Sequence, residues 1–386
     1  MYLCPFTVLI RSTLLFRDVP GLPELKETLI QSVRNDHVAH AQLFHGPAGG
    51  AGLPLAIAFA TFLNCENRGE DDACGSCPSC MKMRKLAHPD VHYIFPVAIT
   101  KKVKDNESDA YMPLWREFMA AQPYGSLSDW LTFIGVEGNR QGNISAEEAR
   151  NVIRKISLKA YEGEYKILIL WQPELLNVYS ANALLKILEE PPAKTVFLLV
   201  TTDANRLLTT IISRTQRIGV RAFSEDEVAA YLSATTDAKQ ARHLAYLSEG
   251  NLARALELST GEGAEEHAWF AAWMRHCYRG LPSFPDLVKL ADEFDSKPKE
   301  AQKNLMAYGL NVFRDLLLWQ GGTPELVRLE GDELTFVQNF SKVIAPERIA
   351  LIVEEITTAY YHLERNVRAK MIFLDLSLSL VRLMRK

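Results

Sequence analysis

His40-Ala41-Gln42-Leu43-Phe44-His45-Gly46-Pro47-Ala48-Gly49-Gly50-Ala51-Gly52-Leu53-Pro54 contains a short apolar strand, a glycine-rich turn and the head of an apolar helix that continues to Leu63. A strand that passes through glycines into a helix is the arrangement that cradles phosphates, because the first N–H groups of the helix converge on an anion. In a working loop the last positions read Gly-Lys-Ser/Thr, with lysine on the β and γ phosphates and the hydroxyl on magnesium. Here Gly52 offers no cation, Leu53 cannot hold magnesium, and Pro54 lacks an N–H. The same glycines also suit a plain tight strand-to-helix turn, and both readings stand on this segment alone.

The second element of a phosphate site is an apolar strand ending in acidic residues. Lys166-Ile167-Leu168-Ile169-Leu170 is such a strand, but it ends in Trp171-Gln172-Pro173-Glu174. Glu174 is displaced from the strand end and reads as a solvated charge at a helix start. Together with Val91 to Phe95 and Val196 to Val200, these short apolar runs between helical patterns predict a parallel sheet with helices on both faces.

Residues 97 to 143 interrupt the pattern with a polar, irregular stretch that includes Lys101-Lys102-Val103-Lys104. It is too long for an ordinary connection, so it is either an inserted element or a mobile loop. Its Trp115 and Trp130 suit a core or a partner patch. Ser145 and Glu148 then form a capping box ahead of a helix from Ala149 to Ile156. From about residue 221 the apolar spacing is helical: Ser224-Glu225-Asp226-Glu227 opens one helix, Asp237 to Leu258 supplies more, and Gly261 to Gly263 marks a break. The expected plan is an extension at 1–15, an α/β domain at 16–220, a small helical domain at 221–262 and a larger helical domain at 263–386.

At 386 residues and 48% hydrophobic, the chain can build two or three cores. A net charge of −4 argues against a general nucleic-acid-binding surface, while leaving room for local basic patches. Tyr2 to Phe16 is apolar, but Arg11 interrupts it and no small-residue cleavage site follows, which argues against a secretory signal. No apolar run reaches the roughly 20 residues of a spanning helix. Four of the six cysteines, Cys65, Cys74, Cys77 and Cys80, lie in one window with spacing C-x8-C-x2-C-x2-C, which favours metal over disulfides. Four thiolates can close a tetrahedral zinc site with no position open for water, a structural metal. His88 and His92 read as a turn and a strand residue, and Cys4 and Cys277 as isolated thiols.

Ser180-Ala-Asn-Ala-Leu-Leu-Lys-Ile-Leu-Glu-Glu-Pro-Pro192, the strand Val196 to Val200 and Ile212-Ser213-Arg214-Thr215 together resemble the bacterial clamp loaders of the AAA+ class. The likeness extends to His40–Gly46, the cysteine spacing and Gly250-Asn-Leu-Ala-Arg254-Ala-Leu, and so covers most of residues 16 to 260. Leu363 to Phe373 is similar, more loosely, to the end of the family's collar domain.

The resemblance implies an AAA+ P-loop domain with a zinc module at 65–80, a helical lid, and an all-α collar that mediates ring assembly. It gives Arg214, supported by Ser213, the role of an arginine finger on a neighbouring subunit's ATP. Thr215 stands where the motif has cysteine. Thr201 and Thr202 fall at the first sensor position and Arg254 at the second. With Gly46, Gly49, Gly52, Leu53 and Pro54 forming a degenerate loop, those sensors are expected to be vestigial and ATP is not expected to bind. The implied partners are the gamma/tau ATPase subunits, the delta subunit, the sliding clamp and, through the complex, primer–template DNA in the cytoplasm. The competing readings are an active gamma/tau-like ATPase and a zinc-dependent DNA-binding module.

Overall fold

The computed structural model describes residues 15–100, 103–136, 142–156, 159–365 and 367–384. The expected extension through residue 14, with Cys4, and Lys101 and Lys102 of the basic patch lie outside the described residues. Leu15 is buried, and its N–H donates to Asp18.

Five strands form one parallel sheet: β1 (Ala41–His45), β2 (Val91–Ile94), β3 (Lys166–Trp171), β4 (Thr195–Thr201) and β5 (Gln216–Gly219), in the order β2-β3-β4-β1-β5. β3 and β4 are buried along their whole length, as strands covered on both faces must be, and this is why they read as unbroken apolar runs. β5 lies at an edge with only Ile218 buried, so no apolar run announces it in the sequence.

The helices are, in chain order, α1 (Pro23–Arg34), α2 (Gly52–Leu63), α3 (Pro78–Arg84), α4 (Ser108–Ala121), α5 (Leu127–Phe133), α6 (Ala146–Ile156), α7 (Val178–Glu189), α8 (Thr209–Ile212) and α9 (Glu225–Leu232). After them come α10 (Ala238–Ser248), α11 (Leu252–Glu257), α12 (Gly263–Arg279), α13 (Phe284–Ser296), α14 (Lys299–Gln320), α15 (Gly331–Phe340), α16 (Pro346–Glu364) and α17 (Ala369–Met384). No helix among the described residues is long and apolar enough to cross a membrane.

The chain divides into two compact units, Met1–Tyr231 with Glu249–Arg254, and Leu232–Ser248 with Ala255–Lys386. The second unit is all helical. In it α14 packs on α16, α16 on α17, and α17 on α12 and α13, around Phe270, Trp273, Phe294, Phe313 and Phe373. Cys277 is fully buried there. Where a glycine break was expected, a π-helical turn at Leu258–Glu262 runs directly into α12.

In the first unit, the described residues of 97–143 form an inserted folded element rather than an irregular stretch. Val97 and Asn143 exchange both backbone hydrogen bonds at 3.0 Å, so the element leaves and rejoins the core at one antiparallel bridge. Between them α4 and α5 pack through aromatic rings. Phe95 stacks on Trp115 at 4.1 Å, Trp130 meets both edge-on at 5.2 and 5.1 Å, and the Trp130 indole donates to the Pro96 carbonyl. Both tryptophans are therefore core residues, buried to 1% and 0% exposure. The buried residues of α4, Ser108, Tyr111, Trp115, Phe118 and Met119, recur at three- and four-residue spacing, the period of a helix with one face in the core. The expected capping box is half made: Ser145 Oγ accepts the Glu148 N–H, but the Glu148 carboxylate accepts the Ser108 N–H instead, tying α6 to the head of α4. Burial pushes that carboxyl up to about 7.

Ser224 and Glu227 do form a reciprocal cap at the start of α9. The Glu227 carboxylate also takes a two-pronged bond from Arg221, both arms at 2.7 Å, and the N–H of Leu22 at the head of α1. Arg221 first, with the Ser224 and Leu22 N–H groups, brings the Glu227 carboxyl down to about 2 from an ordinary 4.5. Its contribution to stability is therefore complete above about pH 4.5 and disappears as pH falls toward about 2. We expect Glu227→Gln to be less stable than the wild type in urea at pH 7, with the gap closing as the titration is repeated at lower pH. An unchanging gap would show that the charge is not what holds this junction.

Candidate functional site

The parallel register brings three strand ends together. His45 at the end of β1 pairs with Thr201 at the end of β4, and Val200 pairs with Trp171 at the end of β3. The Gly46 N–H donates to the Thr201 carbonyl, and the Gln172 N–H to that of Val200. The glycine loop after β1 is thus anchored beside the two strand ends that carry the remaining elements of a phosphate site.

Inside the loop, Gly50 N–H donates to the Pro47 carbonyl and α2 starts at Gly52, placing Pro54 in its first turn. Gly49 has φ +71, and a Cβ there would lie 1.8 Å from Asn251 Oδ1. The Asn251 side chain caps α11 by accepting the Arg254 N–H, while the Leu252 N–H donates to the Gly49 carbonyl. The start of α11 is therefore fastened to the loop, with no room for a side chain at Gly49. Arg254 is half-buried. Asn251 was not singled out from sequence; its place just after Gly250, ahead of a helical run, was the available signal.

At the β3 end no carboxylate replaces Trp171. The indole, 4% exposed, packs on Trp115 at 5.3 Å and so belongs to the aromatic core of the insert. Gln172 adopts φ +57, and the chain then enters a short turn at Pro173–Leu175. Glu174 is not a solvated charge as expected. It folds back to accept the Thr201 hydroxyl at 2.9 Å, and burial pushes its carboxyl upward. Thr201 in turn accepts the Asp203 N–H. Thr202, the other candidate sensor, is exposed.

Arg214 follows α8. One guanidinium arm donates to Glu189 Oε1 at 2.5 Å, and the other to the Thr210 carbonyl at 2.9 Å and Ser213 Oγ at 3.4 Å. The side chain is 33% exposed and its partner 50%. Glu189 is the last residue of α7, which ends just ahead of Pro191 and Pro192. The Leu188-Glu189-Glu190-Pro191-Pro192 run thus supplies the carboxylate that holds the arginine.

The cysteines form a separate centre. Cys65 lies just beyond α2, Cys77 caps α3 and Cys80 sits within it. All four sulfurs lie within 4.8 Å of one another, with separations of 3.6 Å for Cys65–Cys74, 4.0 Å for Cys65–Cys77 and 3.9 Å for Cys74–Cys80. A tetrahedral four-sulfur site with bonds of about 2.3 Å sets its sulfurs about 3.8 Å apart, so the group can hold a metal ion. Backbone N–H groups of Cys74, Ser76, Cys77 and Cys80 donate to the sulfurs, as thiolate acceptors require. At Cys74 burial raises the thiol, but the Ser76 and Cys77 N–H groups outweigh it and bring it to about 6, whereas burial pushes the Cys65 and Cys80 thiols upward. His88 stands outside the group: its Nδ1 accepts the Asp90 N–H and its Nε2 lies 3.5 Å from Glu162. Asp72 fixes the loop to the chain start by accepting the N–H groups of Phe16, Arg17 and Ala73.

Five parallel strands in this order, with a glycine-rich loop leaving β1 beside the ends of β3 and β4, define an α/β core with helices packed on a parallel sheet. The family model for DNA polymerase III, delta subunit, matches residues 21–224, more than half of the chain, and the chain belongs to this family of clamp-loader subunits. It is similar to the tau subunit of DNA polymerase III from Bacillus subtilis (strain 168), 27% identical over 237 residues, 61% of this chain and 34% of the relative. The delta' subunit of the same organism is 27% identical over 248 residues, 64% and 62%. The delta' subunit of Yersinia pestis is 33% identical over 175 residues, 45% and 39%. The chain thus spans from about a third to about six tenths of the length of these relatives.

We expect metal analysis of the purified chain to find one tightly held ion. Cys77→Ser or a thiol-competing chelator should remove it and lower the thermal midpoint by roughly 5–10 °C. Full stability in a metal-free chain would remove the centre's structural role.

Proposed function

We propose that this chain is a delta'-type, non-hydrolysing stator of a bacterial clamp loader. The observation that carries the reading is the head of α2: Gly52, Leu53 and Pro54 supply neither the cation nor the hydroxyl that Mg-ATP needs. The apolar Trp171 at the neighbouring strand end supports it, because no carboxylate there positions magnesium or water. Arg214 is the group the chain offers outward, in trans, to the γ-phosphate held by an adjacent gamma/tau ATPase. Ser213 and Glu189 position it.

In this reading 221–262 is the lid and 263–386 the collar through which the ring assembles with the gamma/tau and delta subunits. The complex then places a sliding clamp on primer–template DNA in the cytoplasm. Zinc in the four-cysteine centre is structural, because four sulfurs leave no coordination position for water. Phe16, Arg17 and α3 are the segments it holds in place.

Two measurements test the reading. Calorimetry of the purified chain with Mg-ATP should give no binding heat, and micromolar affinity would favour an active gamma/tau-like motor instead. In the reconstituted ring, Arg214→Ala should lower clamp- and DNA-stimulated ATP hydrolysis by roughly 10³-fold at the site it faces. An unchanged rate would remove the trans role.

A further inference from the structure

The insert touches more than the β3 end. Beyond α4 the chain turns tightly, with the Gly125 N–H donating to the Gln122 carbonyl, and this turn presents Tyr124. The Tyr124 ring, 3% exposed, meets Phe223 edge-on at 5.9 Å and Tyr231 at 6.1 Å. Phe223 lies in the short connection from β5 to α9, and it is 4% exposed. Its N–H donates to the carbonyl of Gly250 at 3.3 Å, and Gly250, at φ +80, approaches so closely that a Cβ would lie 2.3 Å from the Phe223 carbonyl oxygen. The next residues, Asn251 and Leu252, are those fastened to Gly49.

These contacts are continuous. They run from Trp171 at the end of β3 through Trp115 to Phe118, whose ring lies against Gly125 so closely that a Cβ there would come within 2.6 Å of it; the adjacent Tyr124 then leads through Phe223 and Gly250 to the head of α11 and the glycine loop. We propose that the Val97–Asn143 insert is an internal brace that keeps the start of α11 seated on the phosphate loop, with Tyr124 as the positioning residue.

The physical basis is the thinness of the connection that Tyr124 covers. Between β5 and α9 the chain has no regular structure: Val220 is bonded to His45, and Arg221 and Ser224 to Glu227, while Phe223 itself is held by the Gly250 bond and the burial of its ring. Removing the Tyr124 ring exposes Phe223 on that side and weakens the two bonds that follow, Phe223 to Gly250 and Leu252 to Gly49. The sheet and the cysteine centre do not share those contacts. This regulation of the loop rests on the reading of Gly46–Pro54 as a site that takes no nucleotide. The two ideas fail separately: Mg-ATP calorimetry on the wild type tests that reading, and hydrogen exchange tests the brace.

The experiment is amide hydrogen exchange on the full chain, comparing the wild type with Tyr124→Ala and Tyr124→Phe. We expect Tyr124→Ala to speed exchange at the Phe223 and Leu252 amides by roughly tenfold to a hundredfold, leaving β1, β3 and β4 protected. Tyr124→Phe, which keeps the ring, should match the wild type. Should Tyr124→Ala not fold, Tyr124→Leu is read at the same two amides by the same criterion. Unchanged exchange at both amides, or acceleration spread evenly over the sheet, would overturn the brace.

Discussion

A parallel sheet exposes the carboxyl ends of its strands as an edge of backbone groups that something must cover, and this chain covers them from within. In a nucleotide-binding relative of the P-loop class, phosphate and magnesium occupy that edge. Here three protein contacts stand at the same strand ends: Trp171 enters an aromatic core, Thr201 is held by Glu174, and the loop after His45 is bonded to Leu252. The positions of the insert, the α11 head and the Pro173–Leu175 turn all follow from this need.

The magnitudes at Arg214 suit a group that changes partners. An exposed ion pair contributes only about 0–1 kcal/mol, since both charges are well hydrated when apart. The Glu189 pair, half-exposed on its acidic side, is of that kind. A concentrated phosphate charge can compete for such a guanidinium at small cost, while Thr210 and Ser213 keep the arm oriented. The pair with Glu189 and the proposed role in trans are therefore compatible.

Most of the sheet was legible because buried parallel strands leave unbroken apolar runs, and the four-cysteine group was legible because its spacing is local. What escaped the sequence was non-local or lacked a period. β5 is an edge strand with one buried residue. α4 does carry a helical rhythm, with Ser108, Tyr111, Trp115, Phe118 and Met119 buried, but Pro113 and the polar residues between them make the stretch read as irregular. Glu174 looks like a surface charge until its turn folds it onto Thr201, 27 positions along the chain. Likewise, Glu189 meets Arg214 only once α7 and α8 have been placed. Asn251, whose side chain closes on Gly49, comes from about 200 positions further along the sequence, too far for local spacing to reveal.

The bridge between Val97 and Asn143 has a consequence for how such a chain can change over generations. Because the insert departs and returns at a single hydrogen-bonded pair, the path length between those residues is decoupled from the register of β2 against β3. Loop-closure cost grows only logarithmically with length, so residues can be gained or lost in that interval at little expense to the sheet. What the interval has to keep is Trp115 and Trp130, whose rings pack on Phe95 and, for Trp115, on Trp171 at the strand ends; the chain that joins them can lengthen or shorten without shifting the register of the sheet.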